Sequence, residues 1–338
     1  QPGGKIQLTK KIQVLGIGNA MVDMLIECTE EFLNQNSIKK SVMELIGLEH
    51  SNQLYKRFDH QSQVSGGSGA NTIVGLASLG ATTGYIGKVR DDILGQKFRD
   101  DLINKGVNYK TTLAKKNNVN ETGRCMVFVT PDGERSMCTY LGVTESLEES
   151  DIDAELVSQS EWIYLEGYRF DGQDSELAFA KALDIAKRNF CKTALTLSDP
   201  FCVARNMSAF KKMITDDIDL LFCNEAELKL LYQTGDLDEA VRKASNDVEL
   251  LACTIAEKGA VISNEGNIFS VPAKKTNVVD TTGAGDLFAS GFLYGLLTKE
   301  AFEICGQMGN LAASEIIGHL GARPESDLKS LFINKLSQ

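Results

Sequence analysis

Short apolar runs rich in Val, Ile and Tyr recur along the chain, separated by stretches in which apolar residues return at helical spacing. The runs are "IQVLGIG", "TTGYIGKV", "EWIYLEG", "KTALTLSD", "DLLFCNE", "LLACTIAEKG" and "VISNEGNIFSVPA", and amphipathic segments such as "NTIVGLASLG", "SELAFAKALDIAKRNF" and "DEAVRKASN" lie between them. Strands that alternate with helices build right-handed βαβ units. The pattern therefore predicts an α/β fold, with a mainly parallel central sheet flanked by helices and ligands bound at the carboxyl ends of its strands.

Two segments break the rhythm. "MVDMLIECTEEFLNQNSIKKSVMELI" follows the first strand, and "TGRCMVFVTPDGERSMCTYLG" reads as a β-hairpin turning at Pro131, Asp132 and Gly133. Both predict strands outside the main sheet, joined in a small β lid over its carboxyl edge. The expected large domain takes residues 11–18, 51–108 and 143–330, and the lid inserted in it takes about 19–50 and 109–142. An exposed lid edge would either pair with its copy in a homodimer or leave a monomer.

Composition narrows the partners. The 338 residues carry a net charge of -11, with 43% apolar and 24% charged residues, as expected of a globular chain with a large core. That charge argues against nucleic acid, whose binders need a basic face. No apolar run is long enough to span a membrane, and the start "QPGGKIQLTKK" lacks the apolar core of a signal peptide. The eight cysteines are scattered without a CxxC pair, and His50, His60 and His319 form no triad or metal set. Reduced thiols in a cytoplasmic protein with a small-molecule substrate are the expectation.

The stretch "DTTGAGD", Asp280 to Asp286, reads as strand, glycine turn and helix. The amides from Gly283 to Asp286 become unpaired donors at a helix N-terminus, an anion site, and Asp286 lies beside them as either a helix-dipole acid or a base. No lysine follows the second glycine, so this is not a Walker A loop. A carboxylate beside an anion site suits phosphoryl transfer to a hydroxyl held between them. "SGGSGANT" is a second glycine turn: Gly66 and Gly67 let a polar ligand reach backbone, and Asn71 offers both donor and acceptor. After the first strand, "GIGNAMVDM" has Met21 where a dinucleotide fingerprint needs its third glycine, while Asn19 and Asp23 suit two vicinal hydroxyls. In "FCNEAE", Asn224 and Glu227 suit either a hydrated magnesium ion or a capping box. "TIAEKGA" offers a hydroxyl and a glycine turn for phosphate, while Trp162 and Tyr164 read as packing.

Together these residues resemble the PfkB or ribokinase family of carbohydrate and nucleoside kinases from about Lys11 to Pro324. "DTTGAGD" with "LFASGF" resembles its C-terminal signature, "GGSGANTIVGLASLG" its N-terminal one, "NEAE" its N-x-x-E motif and "TIAEKGA" its nucleotide turn. The resemblance implies a ribokinase-like fold, ATP as donor and Mg²⁺. It makes Asp286 the base and Gly283, Ala284 and Gly285 the anion hole. Asn19, Asp23, Gly66, Gly67 and Asn71 would hold the acceptor, Thr254, Gly259 and Asn310 the ATP, and Asn224 and Glu227 the magnesium through water. Asp280 and Thr282 would line a potassium site.

Within the family, "GNAMVD", "LTLSDPF" and "LFCNEAE" resemble the adenosine kinases, although Thr282 stands where that group usually has asparagine. The expected reaction is ATP-dependent phosphorylation of a primary hydroxyl of a ribosyl compound, adenosine first. One alternative is a kinase for a free or phosphorylated sugar, for which Arg124, Arg135 and Arg169 would supply the cations; another is a non-catalytic nucleoside sensor.

Overall fold

The structure, a computed structural model, describes residues 10–58, 62–172 and 175–336. The first nine residues and His60 lie outside that set. The main-sheet strands are β1 (Ile12–Ile17), β5 (Thr83–Ile86), β6 (Asn108–Tyr109), β9 (Ser160–Glu166), β10 (Lys192–Thr196), β11 (Leu220–Asn224), β12 (Leu250–Thr254), β13 (Ala260–Asn264) and β14 (Asn267–Val271). They lie in the order β14-β13-β12-β11-β10-β9-β1-β5-β6. Pairing is parallel from β6 to β12, and the hairpin of β13 and β14 closes one edge antiparallel.

Alternate residues of the central strands feed opposite faces, which is why those strands read as continuous apolar runs. Leu220 and Phe222 of β11 join Phe288 and Phe292 on one side, and Leu221 and Cys223 join Leu228, Phe210 and Val241 on the other. The first layer holds the helices Ser68–Ser78, Ala284–Leu297 and Phe302–Ile316; the second holds Ser175–Arg188, Pro200–Asp217, Glu225–Leu231 and Leu237–Asp247. This is the expected ribokinase-like α/β architecture. None of the described helices is long and apolar enough to cross a membrane.

The small sheet contains β2 (Met21–Glu27), β3 (Met43–Leu45), β4 (Ser62–Gly66), β7 (Gly123–Val129) and β8 (Arg135–Tyr140), in the order β3-β8-β7-β2-β4. The hairpin β7–β8 turns where the sequence placed it. One boundary needs correction: β4 falls within the 51–108 stretch assigned to the large domain, yet it pairs antiparallel with β2. Its sequence "SQVSG" offers one apolar residue among polar ones and so carries no strand signal of its own.

On the outer face of the small sheet, Val22, Met24, Ile26, Met126, Phe128 and Cys138 pack into the core. The inner face forms its own apolar cluster of Met21, Cys125 and Val127 with Leu25, Val129, Met137 and Leu141. Strand register sets these in rows, Asp23–Cys125–Thr139 beside Leu25–Val127–Met137.

Candidate active site

The "DTTGAGD" turn enters the Ala284–Leu297 helix through Gly283, whose φ of 78° is left-handed. Asp286 occupies the first turn and is half-buried. Ser68 Oγ donates to its Oδ1 at 2.6 Å and Asn71 Nδ2 to its Oδ2 at 2.9 Å, fixing the carboxylate between two elements distant in sequence. Burial raises its pKa, opposed by those two bonds and by the positive charge of Arg323. The result is a carboxylate more basic than usual. The amide of Ala284, expected to be an unpaired donor, bonds Thr281 O at 3.2 Å. The expected anion site therefore narrows to the amides on either side of Ala284. A side chain at Gly285 would meet nothing within 4 Å, so a ligand can reach that backbone.

Of the five expected acceptor residues, Asn71 bonds this carboxylate directly and Gly67 O accepts from Asn71 N at 2.9 Å. Asn71 donates from Nδ2 to Asp286 while its Oδ1 stays buried and unpartnered among the described residues, an acceptor left for a hydroxyl. Asn19 is 3% exposed, and its carbonyl accepts from Tyr85 Oη at 2.7 Å. Gly67, with φ of 98°, lies against Asn19 O. Asp23 stands on the inner face of the lid against Gly66, and no donor among the described residues bonds its carboxylate. Burial pushes its pKa up to about 7, with Arg323 and Arg135 opposing and Asp286 adding to the rise.

Sequence reasoning missed the residues that hold this group in place. Glu166, 1% exposed at the end of β9, accepts from Gly69 N at 2.8 Å and Asn19 N at 3.2 Å. Burial pushes it up to about 8. Arg323 donates to Ser65 O at 2.7 Å and to Ala70 O at 3.2 Å, linking the second glycine turn to the C-terminal region. Only the charge of these residues was visible in the sequence.

On the donor side, Asn224 and Glu227 form a capping box: Asn224 Oδ1 accepts from Glu227 N at 2.9 Å, and Glu227 Oε2 accepts from Asn224 N at 2.9 Å. Asn224 Nδ2 also donates to Glu227 Oε1 at 2.8 Å. Burial pushes Glu227 up to about 7, and the charges of Asp199 and Asp286 add to it. No cluster of three metal-ligating side chains occurs among the described residues. An acid raised first by burial and then by neighbouring carboxylates, with each oxygen accepting one bond and keeping a lone pair, fits a dication that keeps its waters. Thr254 ends β12 next to Asn224 in the register. Gly259 and Asn310 converge on one segment: a side chain at Gly259 would meet Val271 O at 2.0 Å, and Asn310 Nδ2 donates to Val271 O at 3.1 Å and Pro272 O at 3.0 Å. Asn310 thus anchors the exit from β14.

The three arginines expected to serve a phosphorylated acceptor separate. Arg124 faces the outer side of the lid, bonded to Ser51, Asn52 and Glu121, with Tyr55 and Tyr140 beside its guanidinium. Arg169 is not in the lid; it is 1% exposed and donates to Thr144 O at 2.5 Å and Asn19 Oδ1 at 3.4 Å. Arg135 alone stands on the inner face, where its guanidinium lies against Asp280 as an ion pair in which none of its nitrogens makes a well-aligned hydrogen bond among the described residues; burial lowers its pKa to about 10, with the charge of Asp23 opposing. Asp280 Oδ1 also accepts from Thr282 N at 2.9 Å and Oδ2 from Gly321 N at 2.7 Å. The carboxylate expected to help hold potassium therefore carries a guanidinium already, and it does not fit a further cation.

The family model described as pfkB family carbohydrate kinase matches residues 37–328. Adenosine kinase from Sinorhizobium meliloti superposes with a TM-score of 0.90 at 41% identity, over 97% of this chain and 100% of that one. A probable sugar kinase from Rhizobium etli CFN 42 superposes with a TM-score of 0.91 at 40% identity, over 97% and 99%. The 5-dehydro-2-deoxygluconokinase of Bacillus licheniformis is 25% identical over 290 residues, 83% of this chain and 89% of its own.

Proposed function

The chain belongs to the pfkB family of carbohydrate kinases, which are phosphotransferases, and from that premise we propose that it moves the γ-phosphoryl group of ATP to a primary hydroxyl of a ribosyl compound, adenosine first. The observation that carries the choice of acceptor is the apolar row Leu25–Val127–Met137 beside Asp23 on the inner face of the lid. A nucleoside has a flat, largely apolar base to cover such a surface while its hydroxyls meet Asp23, Asn19 and Asn71. Val127 at the centre of the row is 2% exposed and Leu25 and Met137 are half-buried, so a base would complete the cover of the outer two, and apolar lining of this kind favours the larger ligand. The 41% identity to an adenosine kinase supports the same reading.

Asp286 accepts the proton of the attacking hydroxyl as its oxygen bonds the γ-phosphorus and the bond to the β-phosphate oxygen breaks, releasing ADP. Ser68 and Asn71 keep the carboxylate in line during this step. The amides of Gly283 and Gly285 receive the charge that grows on the phosphoryl oxygens. Asn224 and Glu227 would hold the waters of a magnesium ion, which, when bound, neutralises the phosphates.

The test is one ATP-consumption panel over adenosine, inosine, guanosine, cytidine, ribose, fructose, fructose 6-phosphate and 5-dehydro-2-deoxygluconate. The expected result is the highest kcat/KM with a nucleoside, adenosine foremost. Preference for a sugar acid or sugar phosphate would replace this reading with a sugar-kinase one, which the likeness to the probable sugar kinase favours.

A further inference from the structure

Asp280 is 1% exposed, and a carboxylate at that depth needs a cation or several donors to remain charged. Its two backbone bonds, from Thr282 and Gly321, tie the anion-hole turn to the loop before Arg323. The charge is met by Arg135 of β8, whose side chain is 6% exposed against 0% for that of Asp280. Arg135 comes from the lid, while Asp280 and Thr282 belong to the large domain. The pair thus joins the small sheet to the turn before Gly283.

We propose that Arg135 takes the place of a monovalent cation beside the anion-hole turn, so that lid closure itself supplies the charge that fixes Asp280 to Gly283. An alkali ion would have to share one buried carboxylate with a guanidinium, and like charges at such a distance repel strongly in a poorly solvated site. Arg135 is thus a positioning residue: it reaches the reacting atoms through Asp280 and the turn. The proposal rests on the phosphoryl-transfer reading only for its turnover measurement.

The full chain is compared in KCl and in choline chloride at equal ionic strength, by melting temperature without substrates and by ATP turnover with the best acceptor. The wild type is expected to give the same values in both salts. Arg135→Ala is expected to lose about 10²-fold in turnover in choline chloride, the cost of a misplaced reacting group. KCl should then raise its melting temperature and restore about 10-fold of the activity. Adding Asp280→Asn to that variant should abolish the response to KCl. A wild type that melts higher or turns over faster in KCl overturns the proposal, and that arm decides even if Arg135→Ala does not fold. So does an Arg135→Ala chain indifferent to KCl. Melting needs no acceptor, so an absence of nucleoside turnover would count against the acceptor reading without touching this one.

Discussion

Gly66 ends β4 where the Asp23 carboxylate folds back on it, and Gly66→Ala tests whether that carboxylate's position matters. A Cβ at Gly66 would lie 2.2 Å from Asp23 Cγ and Oδ2 and 2.3 Å from Oδ1. Ordinary contact begins at 3.4 Å, so the carboxylate must retreat by at least 1.2 Å, the difference between 3.4 and 2.2. It is able to yield, because no donor among the described residues bonds it, while Gly66 is fixed in the ladder opposite Met21. The fold should therefore survive. A misplacement of about 1 Å in a positioning group costs about 10²-fold, and kcat/KM for the acceptor should fall by that much. The KM for ATP should hold, since Gly66 is remote in the fold from the segment that Asn310 anchors. The assay varies acceptor at saturating ATP, then ATP at saturating acceptor, with Gly47→Ala as control because a Cβ there meets nothing within 4 Å. Acceptor kcat/KM at the wild-type value, in a variant that melts normally, would refute the role given to Asp23. Asp23→Ala alone and combined with Gly66→Ala should lose equally, since both act on one group.

Asp286→Asn should lower kcat by roughly 10²–10⁴, the range of a general base, without loss of fold; near wild-type turnover removes the base assignment. Glu166 gives a pH dependence. Burial raises it from 4.5 to about 8, so the native state keeps a proton that the unfolded chain releases. The associated stability is complete below 4.5 and is lost as pH rises through about 8. Glu166→Gln removes that dependence, and its stability relative to wild type should climb between about pH 5 and 8 by at most about 1.4 kcal/mol per unit; a flat difference in melting would refute it. Asn310→Ala strands the carbonyls of Val271 and Pro272, which should cost about 1–3 kcal/mol in denaturant melts and raise the KM for ATP, and unchanged values of both would remove its anchoring role.

Local signals carried most of what could be read from the chain. The glycine turn before Asp286 was legible because a left-handed residue at Gly283 and a carboxylate in the next helical turn leave a mark seven residues long. The parallel strands were legible because burial on both faces writes continuous apolar runs. Asn224 and Glu227 were read two ways, and the capping box is present in the structure; the same spacing serves both uses. What stayed hidden depends on contacts with no local mark. Glu166 meets the amide of Asn19 across 147 residues, and Arg323 meets Ser65 across 258. Only the fold brings such pairs together.

The proposed acceptor site draws on both sheets. Asp23 and Gly66 come from the small sheet, while Asn19, Asn71 and Asp286 hang from the carboxyl edge of the large one. The large sheet holds its share in place, with Glu166 bonding the amide of Asn19 after β1 and that of Gly69 in the second glycine turn. The lid contributes a carboxylate that no donor among the described residues bonds, and an apolar row beside it. Substitutions in the lid can thus alter which hydroxyl compound is admitted while the transfer chemistry stays put. This division explains why the motifs of the large domain identify a phosphotransferase and leave its acceptor open. It also makes Arg135 one of the points where the two parts meet, beside Arg323 on Ser65 of β4, since its ion pair with Asp280 lies at the turn before Gly283.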